Sequence, residues 1–268
     1  MISLVDSLRV QRTRRALACA HSFEQPLRFA ASALLHFDEQ PRTWTLLNGS
    51  NVVLRSGTSD IDIFEEIYVR CIYDPPPPVR AALCREPVRL IADLGANVGI
   101  FALRMLGAFQ EARVVSFEPD PDNLAVLRAC RSGACQTARW DVHGVAAGTA
   151  KGEMDFLTGR RATSRRPMDD ELGDPALGRV PVVDCLSVLA AADFVKIDIE
   201  GGEWPILADP RFCDLRARAI VLEYHPEHKP GMREAGDEAR ALLAGAGYRV
   251  ADAGSESQGC GELWAWRA

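Results

Sequence analysis

From residue 88 onward the chain alternates β-rich runs with helix-patterned ones, and that alternation fixes the class of fold open to it. The β-rich runs are 88–93 (VRLIAD), 113–118 (RVVSFE), 139–145, 193–199 (DFVKIDI), 219–224 (AIVLEY), 247–252 and 261–267 (GELWAWR). Helical patterns occupy 99–109, 121–131, 203–208 and 233–245. Strands separated by helices predict an α/β fold, a mostly parallel sheet covered by helices on both faces. The last two runs leave no room for a helix between them, so they are expected to form an antiparallel hairpin at one edge. With 268 residues, one such domain leaves an N-terminal extension over. There the pattern predicts helix over 1–38 and a hairpin over 42–55 turning at Asn48-Gly49. A helix follows from Ile61 to Ile72, and then a stiff connector at Pro75-Pro76-Pro77-Pro78. The boundary is drawn with residues 1–78 as an extension capping the pocket and 79–268 as the core. The polar, Arg- and Gly-rich stretch 158–179 reads as a loop.

Composition narrows the function. A net charge of −6 argues against a nucleic-acid partner, which calls for a basic face. No apolar run approaches the ~20 residues of a membrane span, and the arginine-bearing start reads as an amphipathic helix rather than a signal peptide. The eight cysteines are scattered without a C-x-x-C pair, which suits reduced thiols and a cytoplasmic location.

Two stretches carry chemistry. In LIADLGANVGIF (90–101) an apolar strand ends at Asp93 and breaks through Gly95, Asn97 and Gly99 into a helix. Ligands of doubly wound sheets bind beyond the carboxyl ends of the strands, where such a turn lies. The dinucleotide fingerprint G-x-G-x-x-G is replaced here by G-x-N-x-G with an acid before it. Asp93 would repel a pyrophosphate but suits an ammonium or sulfonium group. The next strand ends in SFEPD, which places Glu118 where a carboxylate accepts both ribose hydroxyls. Acid, glycine turn and ribose acid describe S-adenosylmethionine better than NAD, so an NAD(P)-dependent oxidoreductase is the second reading. In DFVKIDIEGGEWPIL (193–207), Lys196, Asp198 and Glu200 alternate and are expected to share one face of a strand. Gly201-Gly202 then ends it, and Glu203 opens a short helix where the macrodipole favours an acid.

DLGANVGIF, SFEPDPDNLAVL, FVKIDIEGGEWPIL and VLEYH, in this order over about residues 90–225, resemble the FkbM-type family of SAM-dependent methyltransferases. The resemblance implies a seven-stranded class I methyltransferase fold, S-adenosylmethionine as donor with S-adenosylhomocysteine as product, and a hydroxyl acceptor on a sugar or natural product. It implies that Asp93, Gly95, Asn97 and Gly99 line the methionine end of the donor. Glu118 would bind the ribose, and Pro119, Asp120 and Asn123 would shape the adenosine side. Trp140, Asp141, Val142 and His143 would stand in range of the adenine. A non-catalytic SAM-fold binding protein is a further rival.

Deprotonating an alcohol during methyl transfer calls for a base, and the candidates are Asp198 and His225, whose ordinary pKa suits the task. Lys196 is expected to anchor a carboxylate. A divalent metal on Asp198, Glu223 and His225 is the alternative to a side-chain base, disfavoured because the spacing matches no recognised ligand motif. Asp60, Glu65, Tyr68 and Tyr73 stand near the connector, and Tyr73 is a candidate contact to the donor. The partner expected is a small hydroxylated acceptor, plain or glycosylated. Arg160, Arg161, Arg165 and Arg166 read as a solvated basic loop, with closure on an anionic acceptor as the alternative, while His225 and His228 follow the fifth strand. A homodimer through the N-terminal helices is one assembly open to the chain, though no seam shows in the sequence.

Overall fold

The structure is a computed structural model that describes residues 4–35, 38–158, 176–226, 231–253 and 260–267. The extension begins with α1 (Leu4–Ala20) and α2 (Pro26–Leu35), so the single helix read over 1–38 is broken. The break is a turn in which Phe23 bridges to Leu46 and stacks on Phe29. The hairpin is present as β1 (Pro41–Thr45) and β2 (Asn51–Arg55), with Gly49 in the left-handed region its turn requires. Next come α3 (Asp60–Phe64), which runs into one π-helical turn over Glu65–Val69, and α4 (Pro77–Leu83). The four prolines are therefore not all connector. Pro77 and Pro78 open α4, where a missing N–H costs nothing.

The core then runs β3 (Leu90–Leu94), α5 (Ile100–Ala108), β4 (Arg113–Phe117), α6 (Pro121–Gly133), β5 (Trp140–His143), β6 (Ala146–Gly148), β7 (Gly152–Thr158) and β8 (Ala176–Asp184). It continues through α7 (Leu186–Ala191), β9 (Phe194–Ile197), α8 (Glu203–Ala208), β10 (Ala219–Tyr224), α9 (Met232–Gly245), β11 (Arg249–Asp252) and β12 (Gly261–Trp266). All seven strands read from the sequence join one sheet, in the order β11-β12-β10-β9-β3-β4-β5. This is the class I methyltransferase order. Only β12 runs antiparallel to its neighbours, slotted between β10 and the edge strand β11. The sequence reading of 158–179 as loop is corrected at its end. Residues 176–179 belong to β8, which pairs with β7 and β6 in a separate three-stranded sheet. Arg160, Arg161, Arg165, Arg166 and His228 lie outside the described residues.

Alternation along the strands divides the apolar residues into two cores. One face carries Ile91, Val114, Trp140, Phe194 and Val221, and it packs with α5, α6 and the whole extension, including Phe29, Leu46 and Phe64. The other carries Ala92, Val195, Ile197 and Ile220 against α7, α8 and α9. The extension thus shares a continuous core with the sheet. A buried clamp fixes it, with Arg55 donating to both oxygens of Asp60 and to Asn123 Oδ1 on α6. A guanidinium this enclosed requires its acid, because an unpaired buried charge costs far more than the pair gains.

Candidate functional site

The strand order reverses between β3 and β9: β4 and β5 lie to one side of β3, while β9 and β10 lie to the other. The crevice beyond the carboxyl ends of β3 and β9 is the switch point where open α/β sheets bind ligands. A cavity of about 180 Å³ opens there. Its core wall is Gly95–Val98, Phe101, Lys196, Asp198, Glu200 and Glu223. Its outer wall is Ser59, Asp62, Ile63, Glu66, Ile67, Ile72 and Tyr73 of the extension.

Register places the charges beneath it. Ser116 and Lys196 are the direct neighbours of Asp93 on β4 and β9. Ser116 Oγ donates to Asp93 Oδ2 at 3.0 Å, and Trp140 Nε1 donates to Ser116 at 3.0 Å. Lys196 Nζ lies 3.7 Å from Asp93 Oδ1 and 3.2 Å from Asp198 Oδ2, and it donates to the carbonyl of Gly95 at 2.9 Å. Tyr73 donates its hydroxyl to Asp198 Oδ2 at 3.4 Å and stands edge-on to Phe101. Burial drives the Asp93 carboxyl above its usual range, with Lys196 and Ser116 opposing. Burial would lower Lys196, but Asp198 and Asp93 outweigh it and hold it above its ordinary value. Lys196 is therefore a charged anchor, as the sequence suggested. Asp93 is fully buried, and its carboxylate faces Lys196.

The glycines also answer to the protein. Gly95 (φ +78°) and Gly99 (φ +87°) are left-handed, and so is Asn97 (φ +50°). A Cβ on Gly95 would lie 1.7 Å from the carbonyl oxygen of Asp198, and one on Gly99 would lie 2.5–2.8 Å from Leu127 and Trp140. The turn is glycine-rich because β9's exit and α6 press on it, not only because a ligand approaches.

Glu118 sits just past β4. Its Oε2 accepts the Asn97 N–H at 2.7 Å and its Oε1 accepts that of Asp120 at 2.9 Å. Burial pushes its pKa up to about 8, the two amides pulling against it. Asp120 caps α6 by accepting from Asp122 and Asn123, and Pro119 lies between these two acids. None of Glu118, Pro119, Asp120, Asn123, Asp141 and Val142 lines the cavity. Asn123 faces Arg55, Trp140 is wholly buried beneath Gly99, and Asp141 pairs with Arg113 on the surface. Val142 packs on the core, and His143 stacks on Phe117 at 5.2 Å. The expected adenine contacts at Trp140 and Asp141 are thus engaged within the protein.

The strand read over 193–199 ends at Ile197, so Glu200 does not extend the Lys196–Asp198 row. It stands in a left-handed turn (φ +54°) with its carboxylate 3.2 Å from His225 Nε2. His225 Nδ1 is 3.2 Å from Glu203 Oε1, and Glu203, fully buried, accepts the N–H groups of Gly201 and His225. Burial would lower the imidazole's pKa, but Glu200 and Glu203 raise it to about 10. Each ring nitrogen of His225 thus faces a glutamate, and the residue is not among those lining the cavity. Glu203 was read from the sequence only as a helix-opening acid. Its part in orienting His225 depends on two strand ends meeting, which no local pattern encodes. The metal set read as Asp198, Glu223 and His225 is also altered, because the atoms that converge with Asp198 and His225 belong to Glu200.

Residues 93–250, more than half of the chain, match the methyltransferase FkbM domain. A search of curated proteins finds no match. Among solved structures, P. horikoshii TYW2 in complex with MeSAdo is similar at 14% identity, over 86% of this chain and 73% of that one, with TM-score 0.42. M. jannaschii TYW2 in complex with AdoMet is similar at 12% identity, over 87% and 90%, with TM-score 0.44. The magnesium protoporphyrin IX methyltransferase ChlM of Synechocystis PCC 6803, with bound SAM, is similar at 15% identity, over 77% and 84%, with TM-score 0.42. Among the described residues no helix is long and apolar enough to cross a membrane.

Proposed function

This chain belongs to the methyltransferase FkbM family, and on that premise we propose that it transfers a methyl group from S-adenosylmethionine to a hydroxyl of a sugar or other natural-product acceptor. One observation carries the reading. The left-handed turn at Gly95 and Asn97 and the carboxylate of Asp198 line one cavity at the switch point, and Glu118 holds that turn through the Asn97 N–H; on this reading the turn and Glu118 take the donor and Asp198 faces the acceptor.

The residues suit the donor. A carboxylate offers about four lone-pair positions, and backbone amides take two of Glu118's, leaving two for a ribose diol. S-adenosylmethionine, when bound, supplies an electrophilic methyl group on a positively charged sulfur. The chain aligns and deprotonates. Lys196, neutralised from below by Asp93, fixes one oxygen of Asp198, and Tyr73 fixes it from the extension side. The other oxygen receives the acceptor's hydroxyl proton. Asp198 is preferred as base because it lines the cavity, whereas His225 does not and has its ring nitrogens turned to Glu203 and Glu200. Phe101 and Tyr73 cover Lys196 at 5.9 and 5.6 Å and keep water from the pair. On this reading the extension, which supplies the cavity wall from residues 59–73, caps the acceptor. All eight cysteines are free, in keeping with a cytoplasmic enzyme.

Isothermal calorimetry with S-adenosylmethionine, then mass spectrometry of hydroxylated acceptors incubated with it, tests the assignment. Heat of association and an acceptor heavier by one methylene are expected. No heat with the donor or its demethylated product would end the proposal.

Glu118 adds a pH dependence. Its pKa in the free chain, about 8 against an ordinary 4.5, means the folded state prefers it protonated. Stability of the free chain therefore falls as pH rises from about 4.5 to about 8 and levels above that. Ribose hydroxyls donate to the ionised form. The donor's dissociation constant is thus expected to tighten by roughly tenfold between pH 7 and 9, with proton release in the calorimeter at pH 7. Glu118→Gln should remove both the release and the slope.

A further inference from the structure

We propose that Asp198, Glu200 and His225 form a binding site for a divalent cation of the Mn²⁺ type at the acceptor side of the cavity. One oxygen from each carboxylate and an imidazole nitrogen lie within 4.8 Å of one another. Ligands about 2.1 Å from a shared ion stand roughly 3–4 Å apart, so small side-chain movements close the set around a cation. Asp198 and Glu200 follow β9 and His225 follows the adjacent β10, so the site spans two neighbouring strand ends.

The imidazole is the decisive group. His225 is only 7% exposed, and its Nε2 makes no hydrogen bond. That nitrogen points among carboxylates, with Glu200 Oε2 at 3.2 Å and Glu223 Oε1 at 3.8 Å. The opposite nitrogen rests on Glu203, which two backbone amides hold rigidly. A carboxylate behind an imidazole is the arrangement that fixes the ring's orientation and tautomer for metal binding. Glu200 adopts its left-handed backbone (φ +54°) at this spot, a conformation that costs free energy for a residue with a side chain and turns its carboxylate to His225. Glu223 also lines the cavity and lies directly opposite Glu262 across β10 and β12, both buried. One imidazole nitrogen with carboxylate oxygens suits Mn²⁺ better than a thiolate-preferring ion. Cys260 with Glu223 makes a second cluster on the same histidine, and the test separates the two.

The cation's role, though not its binding, rests on the methyl-transfer reading. It would hold the acceptor oxygen and weaken its O–H bond. The oxygen–carbon bond then forms as the carbon–sulfur bond breaks, the electron pair returns to sulfur, and, with Asp198 serving as a ligand, the proton passes to water at the cavity mouth.

The test titrates Mn²⁺ into the chelator-treated full chain and follows free Mn²⁺ by electron paramagnetic resonance. One bound ion per chain is expected, weakened at least about tenfold in both Glu200→Gln and His225→Asn and unchanged in Cys260→Ser. Circular dichroism checks folding. Glu200, with its side chain 60% exposed, carries the test if His225→Asn does not fold. An undiminished free-Mn²⁺ signal, equal affinity in Glu200→Gln, or loss in Cys260→Ser would each overturn the site. S-adenosylmethionine titrated into the metal-free chain tells the two failures apart. Heat without Mn²⁺ binding removes the metal site alone, and Mn²⁺ binding without heat supports the site while removing the donor.

Discussion

Asp198→Asn is expected to slow methyl transfer by about 10²–10⁴-fold, the usual weight of a positioned base, or about 3–5 kcal/mol of barrier. Donor affinity should stay close to that of the unaltered chain. The exchange keeps the size and planarity of the side chain and leaves a carbonyl oxygen to accept from Tyr73, 3.4 Å away in the parent. It removes the only property the reaction requires, an oxygen basic enough to take the hydroxyl proton. Lys196 retains Asp93 as counter-charge, so the floor of the site should persist. Single-turnover rates beside calorimetric dissociation constants distinguish this from a binding defect, and an unchanged turnover would remove Asp198 from the role.

Among the described glycines, Gly95→Ala should be the costliest added methyl group, at about 3–5 kcal/mol of stability, a large share of the roughly 5–15 kcal/mol that holds a domain folded. Two penalties coincide. The backbone is left-handed, and the new carbon meets the Asp198 carbonyl 1.7 Å away. Gly247→Ala is the control, since its φ is +86° and nothing lies within 4 Å of the added carbon. It should cost only the backbone preference, about 1–2 kcal/mol. Denaturant midpoints of the two variants measure the difference, and equal losses would mean that the contact with Asp198 carries no weight.

What was legible in the sequence was whatever is written locally. Each of the seven sheet strands is a compact β-rich run, and the Asn48-Gly49 turn and the helix after Gly99 announce themselves in the same way. The smaller sheet was missed because Ala146–Gly148 is too short and too small to signal a strand, and Pro181 interrupts the alternation of β8. Site residues followed the same rule. The placement of Lys196 between two acids could be inferred from spacing along β9. That Asp93 turns to Lys196, that Asn123 answers Arg55, and that His225 sits among glutamates all depend on which strands end side by side. Alternation in 193–199 was extrapolated too far, since the strand stops at Ile197 and Glu200 swings away from the row.

The two walls of the cavity come from separate stretches of chain, and this bears on how such enzymes diversify. The inner wall is tied to the sheet's register, so a one-residue slip there would scramble Asp93, Ser116 and Lys196 together. The outer wall is a single passage, 59–73, pinned by the Arg55–Asp60 clamp at one end and by Tyr73 at the other. On the proposed reading, a graft of that passage from a relative, carried with both pins, is the natural unit for altering which acceptor is chosen without disturbing the machinery below.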